Sequence, residues 1–136
     1  MNRSQEFAFA SRFLQSRPMN VDQSFFFPAS MIKVLEAEAV RLDTTLSECV
    51  SFAWTNARME LQSSSDALLC KKREVGIQKT FGSDLGDSIK RSVSVPQETL
   101  TEVKDFANKF DRSLSWTMQN ALLLSLDDLR RKRSVV

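Results

Sequence analysis

Lys90, Ser92 and Ser94 stand two residues apart, so in an extended chain all three point the same way. One ammonium and two hydroxyls on a single face are hydrogen-bond donors with no base to activate them. They suit contacts to phosphates and base edges rather than bond-breaking chemistry. The rest of the inventory for catalysis is thin. The 136 residues include no histidine, no Gly-rich phosphate loop and no carboxylate pair with a reason to be buried. Asp43 and Asp111 fall at turns, where Asp bonds its own backbone. Cys49 and Cys70 lack metal-ligand spacing, and Cys49 reads as a packed thiol beside a helix stripe. The chain reads as a non-enzyme with neither metal nor cofactor.

The elements that must hold those donors run from Lys90 to Leu129. Arg91 to Val95 alternates polar and apolar residues, the period of a strand with one buried face. Pro96 ends the strand and suits the first turn of a helix, where its missing N–H costs nothing. Leu100, Val103, Ala107 and Phe110 then recur at helical spacing. Asp111-Arg112-Ser113 breaks that helix, and Ser113 or Ser115 is placed to cap the next. Leu114, Met118, Ala121, Leu122 and Ser125 form its stripe. A lone strand has two open edges, and two short amphipathic helices cannot hide their stripes by themselves. The unit calls for a second copy.

An offset of 68 residues, which carries Pro28 onto Pro96, supplies one in the same chain. Ser24, Ala39, Asp43, Leu46, Ser47 and Ala53 fall on Ser92, Ala107, Asp111, Leu114, Ser115 and Ala121. Ile32, Leu35, Ala39 and Leu42 fall on the first stripe, and Leu46, Val50, Ala53 and Trp54 on the second. The expected helices run from Ala29 to Leu42 and from about Leu46 to Leu61, the second capped by Thr45 or Ser47.

The alternating strand, the proline after it and the Asp-Arg-Ser-Leu-Ser turn together resemble the ribbon-helix-helix arrangement of the MetJ/Arc class of DNA-binding proteins. The resemblance implies a mainly α fold with a short two-stranded antiparallel ribbon, a tandem ribbon-helix-helix pseudo-dimer. The expected organisation is an arm (1–22), repeat 1 (23–61), a linker (62–89), repeat 2 (90–130) and a basic tail (131–136). All three glycines fall in the linker, with a short helical segment expected around Ala67 to Glu74. Whether the repeats pair within one chain or between two stays open at this point. The tandem layout also resembles that of TraY-type relaxosome proteins of conjugative plasmids.

The same resemblance implies which residues meet DNA. The outward ribbon face would enter the major groove with Lys90, Ser92 and Ser94 from repeat 2. Repeat 1 would bring Ser24 and Phe26, along with Asp22, which repels phosphate. The N-termini of the second helices would abut the backbone, since free N–H groups and a positive helix end attract phosphate. Thr44, Thr45 and Ser47 match that position in repeat 1, and Arg112, Ser113 and Ser115 in repeat 2. Simple helix capping accounts for the same hydroxyls.

Charge bears on the choice of partner. The net charge is +2; residues 1–61 carry 6 basic and 7 acidic groups, and residues 62–136 carry 13 and 10. Lys71-Lys72-Arg73, Lys90-Arg91 and Arg130 to Arg133 are the basic clusters. Two functions follow. One is a sequence-specific binder of double-stranded DNA: a transcriptional repressor, nucleoid protein or plasmid accessory factor. The other is a protein-interaction module on the same fold, favoured by Asp22, Phe26 and the modest charge. Self-association is open to Phe26 and to the arm, where Phe7, Ala10 and Leu14 share a helical face beside Phe9 and Phe13. No apolar run approaches a membrane span and no signal peptide is evident, so a reducing cytoplasm is expected.

Overall fold

Residues 20 to 28 alternate between residues that need burial and residues that do not, and nine residues from Ser88 repeat the pattern. In the computed structural model, which describes residues 19–82 and 85–132, these stretches are strands β1 (Asn20–Pro28) and β2 (Ser88–Pro96). They pair antiparallel as a two-stranded sheet within the one chain. The helices are α1 (Ala29–Arg41), α2 (Leu46–Ser63), α3 (Asp66–Phe81), α4 (Gln97–Phe110) and α5 (Leu114–Arg131). Each strand starts earlier than the alternation predicted, because Asn20 to Asp22 and Ser88 to Ile89 find partners on the opposite strand. Residues 20–22, expected in the arm, are therefore strand, and residues 1–18 lie outside the described residues.

The register carries a symmetry. Ser24 pairs with Ser92, the residue that the 68-residue offset makes its equivalent. Pairing then runs outward evenly, with Asp22 opposite Ser94 and Phe26 opposite Lys90. The same offset relates β1 to β2, the starts of α1 and α4, and the whole of α2 to α5. Asp43 and Asp111 both adopt left-handed backbone, with φ of 56° and 54°. Asp tolerates this conformation better than most residues, and it turns the chain between helices.

Backbone hydrogen bonds follow suit. Pro28 and Pro96 carry no capping side chain, so the first N–H of α1 and of α4 needs another acceptor. The Ala29 N–H donates to the Asp87 carbonyl at 2.7 Å, and the Gln97 N–H donates to the Met19 carbonyl at 2.8 Å. Each unit thus supplies a carbonyl to the other's helix. Gly86, at φ +76°, turns the chain just before this contact.

The core lies under one face of the ribbon. Phe25, Phe27, Val93 and Val95 point into it and meet Leu35, Val50, Trp54, Val103, Met118 and Leu122. Trp54 is fully buried, and its indole Nε1–H donates to Glu102 Oε1 at 2.8 Å. Phe106, absent from the expected stripe, is 4% exposed and stands edge-on to Trp54 with ring centroids 6.3 Å apart. The α2 and α5 helices run antiparallel, so that Ser125 Oγ donates to the Ala53 carbonyl and Asn56 Nδ2 donates to Asp128. No described helix is long and apolar enough to cross a membrane.

The expected linker needs correction. Residues 66–81 form a 16-residue helix, α3, twice the length of the expected segment. Two of the residues that suggested a linker, Ser65 and Gly82, are its caps. Ser65 Oγ accepts the Leu68 N–H at 3.1 Å, and Gly82 closes the helix at φ +67°. Leu69 is its one buried residue. Gly76 faces α5, and a Cβ there would rest against Leu123 at 3.5 Å, an ordinary van der Waals contact. Trp116 is half-buried, with the Arg112 guanidinium over its ring.

Candidate nucleic-acid interface

The outer face of the ribbon is built by parity. Paired residues share a face, so Asp22, Ser24 and Phe26 line up with Ser94, Ser92 and Lys90 on the side away from the core. Asp22, Lys90 and Ser92 are exposed, Ser24 and Ser94 are half-buried, and Phe26 is 49% exposed. Asn20 and Ser88 extend this face at opposite ends and are exposed. Sequence reasoning left them out because they lie beyond the alternating apolar residues. Lys90 forms no ion pair with any described residue. Its neighbour Arg91, on the other face, is held by Glu36 of α1.

Ser47 and Ser115 have definite work. Ser47 Oγ accepts the Ser94 N–H at 2.9 Å, and Ser115 Oγ accepts the Phe26 N–H at 2.8 Å. These N–H groups point off the two edges of the ribbon and have no partner strand. Each hydroxyl thus fastens the start of its helix to the strand of the other unit. One of its two lone pairs is taken, while its proton remains free to donate.

Thr45 and Ser113 are the N-caps. Their hydroxyls accept the Glu48 N–H at 3.1 Å and the Trp116 N–H at 3.0 Å. Both caps are exposed, as is Thr44. Capping was expected at either of two hydroxyls in each turn. The structure divides the labour: the first caps the helix and the second ties it to the ribbon.

Arg112 is placed differently from a free phosphate ligand. Its guanidinium forks onto Asp66, with Nε to Oδ1 at 3.1 Å and Nη2 to Oδ2 at 2.8 Å. It also stacks on Trp116, 4.4 Å from the ring centroid, and Nη2 reaches Cys70 Sγ at 3.3 Å. The bond from Arg112 holds the Asp66 carboxyl below its usual range, and Asp66 raises Arg112 in return. In this structure Arg112 joins α3 to the start of α5. Nothing in the sequence pointed to Asp66 as its partner, because 46 residues separate them.

The other basic groups are distributed unevenly. Lys72 pairs with Glu60 at 2.6 Å, and Arg73 donates to Gln119 Oε1 at 2.8 Å. Gln119 passes this on, donating from Nε2 to the Phe26 carbonyl at 2.6 Å. Arg73 thus supports the backbone beneath Phe26 from inside. Burial lowers its pKa. Arg41 closes the far end of α5, donating to the Leu129 and Lys132 carbonyls at 2.9 and 2.8 Å. The antiparallel packing returns that end of α5 to the start of α2, where Lys132 stands 5.1 Å from the Phe52 ring centroid. Lys132, Thr44, Glu48 and Phe52 help to line a cleft of about 440 Å³ there. Of the basic tail, residues 133–136 lie outside the described residues.

The arrangement can do two things chemically. Its ribbon face offers an ammonium, a carboxylate, hydroxyls and one aromatic ring to a groove or surface. Its two capped helix starts flank that face at fixed positions. Among the described residues, no three Asp, Glu, Cys or His side chains gather as a metal site would require. Burial, reinforced by Glu38 and Glu48, raises the Cys49 pKa. Compared with family models, with curated proteins and with solved structures, the chain matches none.

Proposed function

We propose that this chain binds double-stranded DNA as a ribbon-helix-helix regulator, with its two strand-helix-helix units acting as the fused subunits of a pseudo-dimer. The observation that carries this reading is the register of the ribbon, centred on Ser24 and Ser92, with Lys90 and three serine hydroxyls on its outer face and a capped helix start tied to each edge. A two-stranded ribbon of this width fits the major groove. Lys90, Ser92, Ser94, Ser24 and Phe26 would meet base edges. Thr44, Thr45 and Ser113, with the N-termini of α2 and α5, would meet phosphates on either side. Arg112 contributes by positioning the α5 start through Asp66. The class of role is a repressor, nucleoid protein or plasmid accessory factor acting in the cytoplasm.

A titration of the purified chain against random duplex DNA at two salt concentrations, followed by fluorescence anisotropy, tests the reading. Binding that weakens steeply with salt supports it, because released counterions set the salt dependence. No binding at low salt overturns it. That result would leave the interaction module, which the half-exposed ring of Phe26 on the open ribbon face favours.

A further inference from the structure

The fold repeats about the Ser24–Ser92 pair, but the side chains on the ribbon's outer face do not. Phe26 and Ser94 occupy equivalent positions, as do Asp22 and Lys90. One end of the face therefore carries Phe26 opposite Lys90, and the other carries Asp22 opposite Ser94. The Phe26 and Ser94 N–H groups are bonded to Ser115 and Ser47 rather than across the ribbon. Both pairs thus belong to the non-hydrogen-bonded class, whose Cα atoms stand about 4.5 Å apart with side chains close together. Phe26 and Lys90 therefore stand side by side at one end of the face, and Asp22 and Ser94 at the other.

We infer that the chain reads a duplex site without dyad symmetry and binds it in a single orientation. The inference rests on the DNA-binding reading above. At the Phe26–Lys90 end, an ammonium suits the O6 and N7 acceptors of guanine, and the ring suits an adjacent thymine methyl. At the Asp22–Ser94 end, the carboxylate accepts only from a donor such as the cytosine amino group and disfavours acceptor-rich purine edges. The four steps from Asp22 to Phe26 span about 13 Å, so the two readings fall roughly four base pairs apart. The hydroxyls of Ser24 and Ser92 sit between them and discriminate weakly. Flipping the chain on its site would set Asp22 against guanine and Lys90 against the cytosine amino group. The twofold relation of the backbone permits that orientation, and the side chains reject it.

Selection of bound duplexes from a random pool by the full chain tests this. The expected consensus lacks an inverted repeat, with guanine and thymine at one end and cytosine about four base pairs away. Symmetrising either half should weaken binding at least fivefold for each base pair replaced, since mismatches cost about 1–3 kcal/mol. The double variant Asp22→Lys with Ser94→Phe makes the two ends alike, and its consensus should become an inverted repeat. A palindromic consensus from the unaltered chain overturns the single orientation and leaves the DNA-binding reading standing. The same non-palindromic consensus from chain and variant overturns the assignment to these four side chains. Failure to retain any duplex, with no salt-sensitive binding, overturns both readings.

Discussion

The hydroxyl of Ser115 accepts the backbone N–H of Phe26 at 2.8 Å, across 89 positions of sequence. Ser47 does the same for Ser94 at 2.9 Å. A two-stranded ribbon has edges on both sides, and each unpaired edge group costs free energy if it loses water without finding a partner. Here each edge receives one hydroxyl from the start of a second helix. Strand position and helix position are thereby set together, which any surface built from both requires.

Removal of these hydroxyls should therefore destabilise the chain unequally. The Ser94 N–H is half-buried and the Phe26 N–H is exposed, so water can replace Ser115 more readily than Ser47. Ser47→Ala is expected to cost about 1 kcal/mol and Ser115→Ala less. Urea unfolding of the two variants measures the difference. Equal losses would mean that the edge bonds do not carry it.

Two glycines with positive φ separate strain from crowding. At Gly82 a Cβ would meet nothing within 4 Å, so Gly82→Ala is strained only through its backbone, φ 67° with ψ −140°, a conformation close to glycine-only that costs about 1–3 kcal/mol. At Gly86 the added Cβ would also stand 3.2 Å from Ala29 Cβ, where the first N–H of α1 donates to the Asp87 carbonyl. Gly86→Ala should lower the thermal midpoint further than Gly82→Ala. The reverse order would show that α1 yields without penalty.

The Asp66–Arg112 fork predicts acid sensitivity. The Asp66 pKa is lowered in the folded chain from its ordinary value of 3.8, chiefly by the Arg112 hydrogen bond. Below that value the unfolded chain binds a proton that the folded chain refuses, so stability is full above it and is lost as pH falls through the folded value. Asp128, held low by Asn56 and Arg131, acts in the same direction. Asp66→Asn should make the acid limb of the stability curve shallower, measured by denaturant midpoints from pH 6 downward. An unchanged slope would count against the fork.

Both strands of the ribbon come from one chain, so folding should not depend on a second. The unfolding midpoint should stay constant over a hundredfold range of protein concentration, whereas an obligate dimer would lose stability on dilution. A midpoint that rises with concentration would indicate pairing between chains.

Lys90 and Lys104 provide a charge-matched pair. Both are exposed, Lys90 on the ribbon's outer face and Lys104 on α4. Lys90→Ala should weaken duplex binding roughly tenfold or more, the scale of one good base contact. Lys104→Ala should leave it nearly unchanged at the same ionic strength. Equal effects would point to diffuse attraction rather than a reading face.

The sequence by itself determined the local elements and their inward faces. Alternation placed Phe25, Phe27, Val93 and Val95 in the core, and the prolines marked where strand gives way to helix. Helical spacing found Leu35, Val103 and Met118, all buried, because a period records which side of an element faces away from water. It missed Phe106, which lies off the narrow stripe and is buried by Trp54 from another helix. It placed a short helix around Ala67 to Glu74 and fell short of the full α3, since serines and glycines mark caps and flexible segments alike. Only the tertiary structure decided which hydroxyls cap and which fasten ribbon edges, that Arg112 belongs to Asp66, and that Phe26 faces Lys90 across the strands. Arg112 and Asp66 lie 46 residues apart, and Ser115 and Phe26 lie 89 apart. Periodicity fixes direction around an element, whereas partnership requires the path of the whole chain.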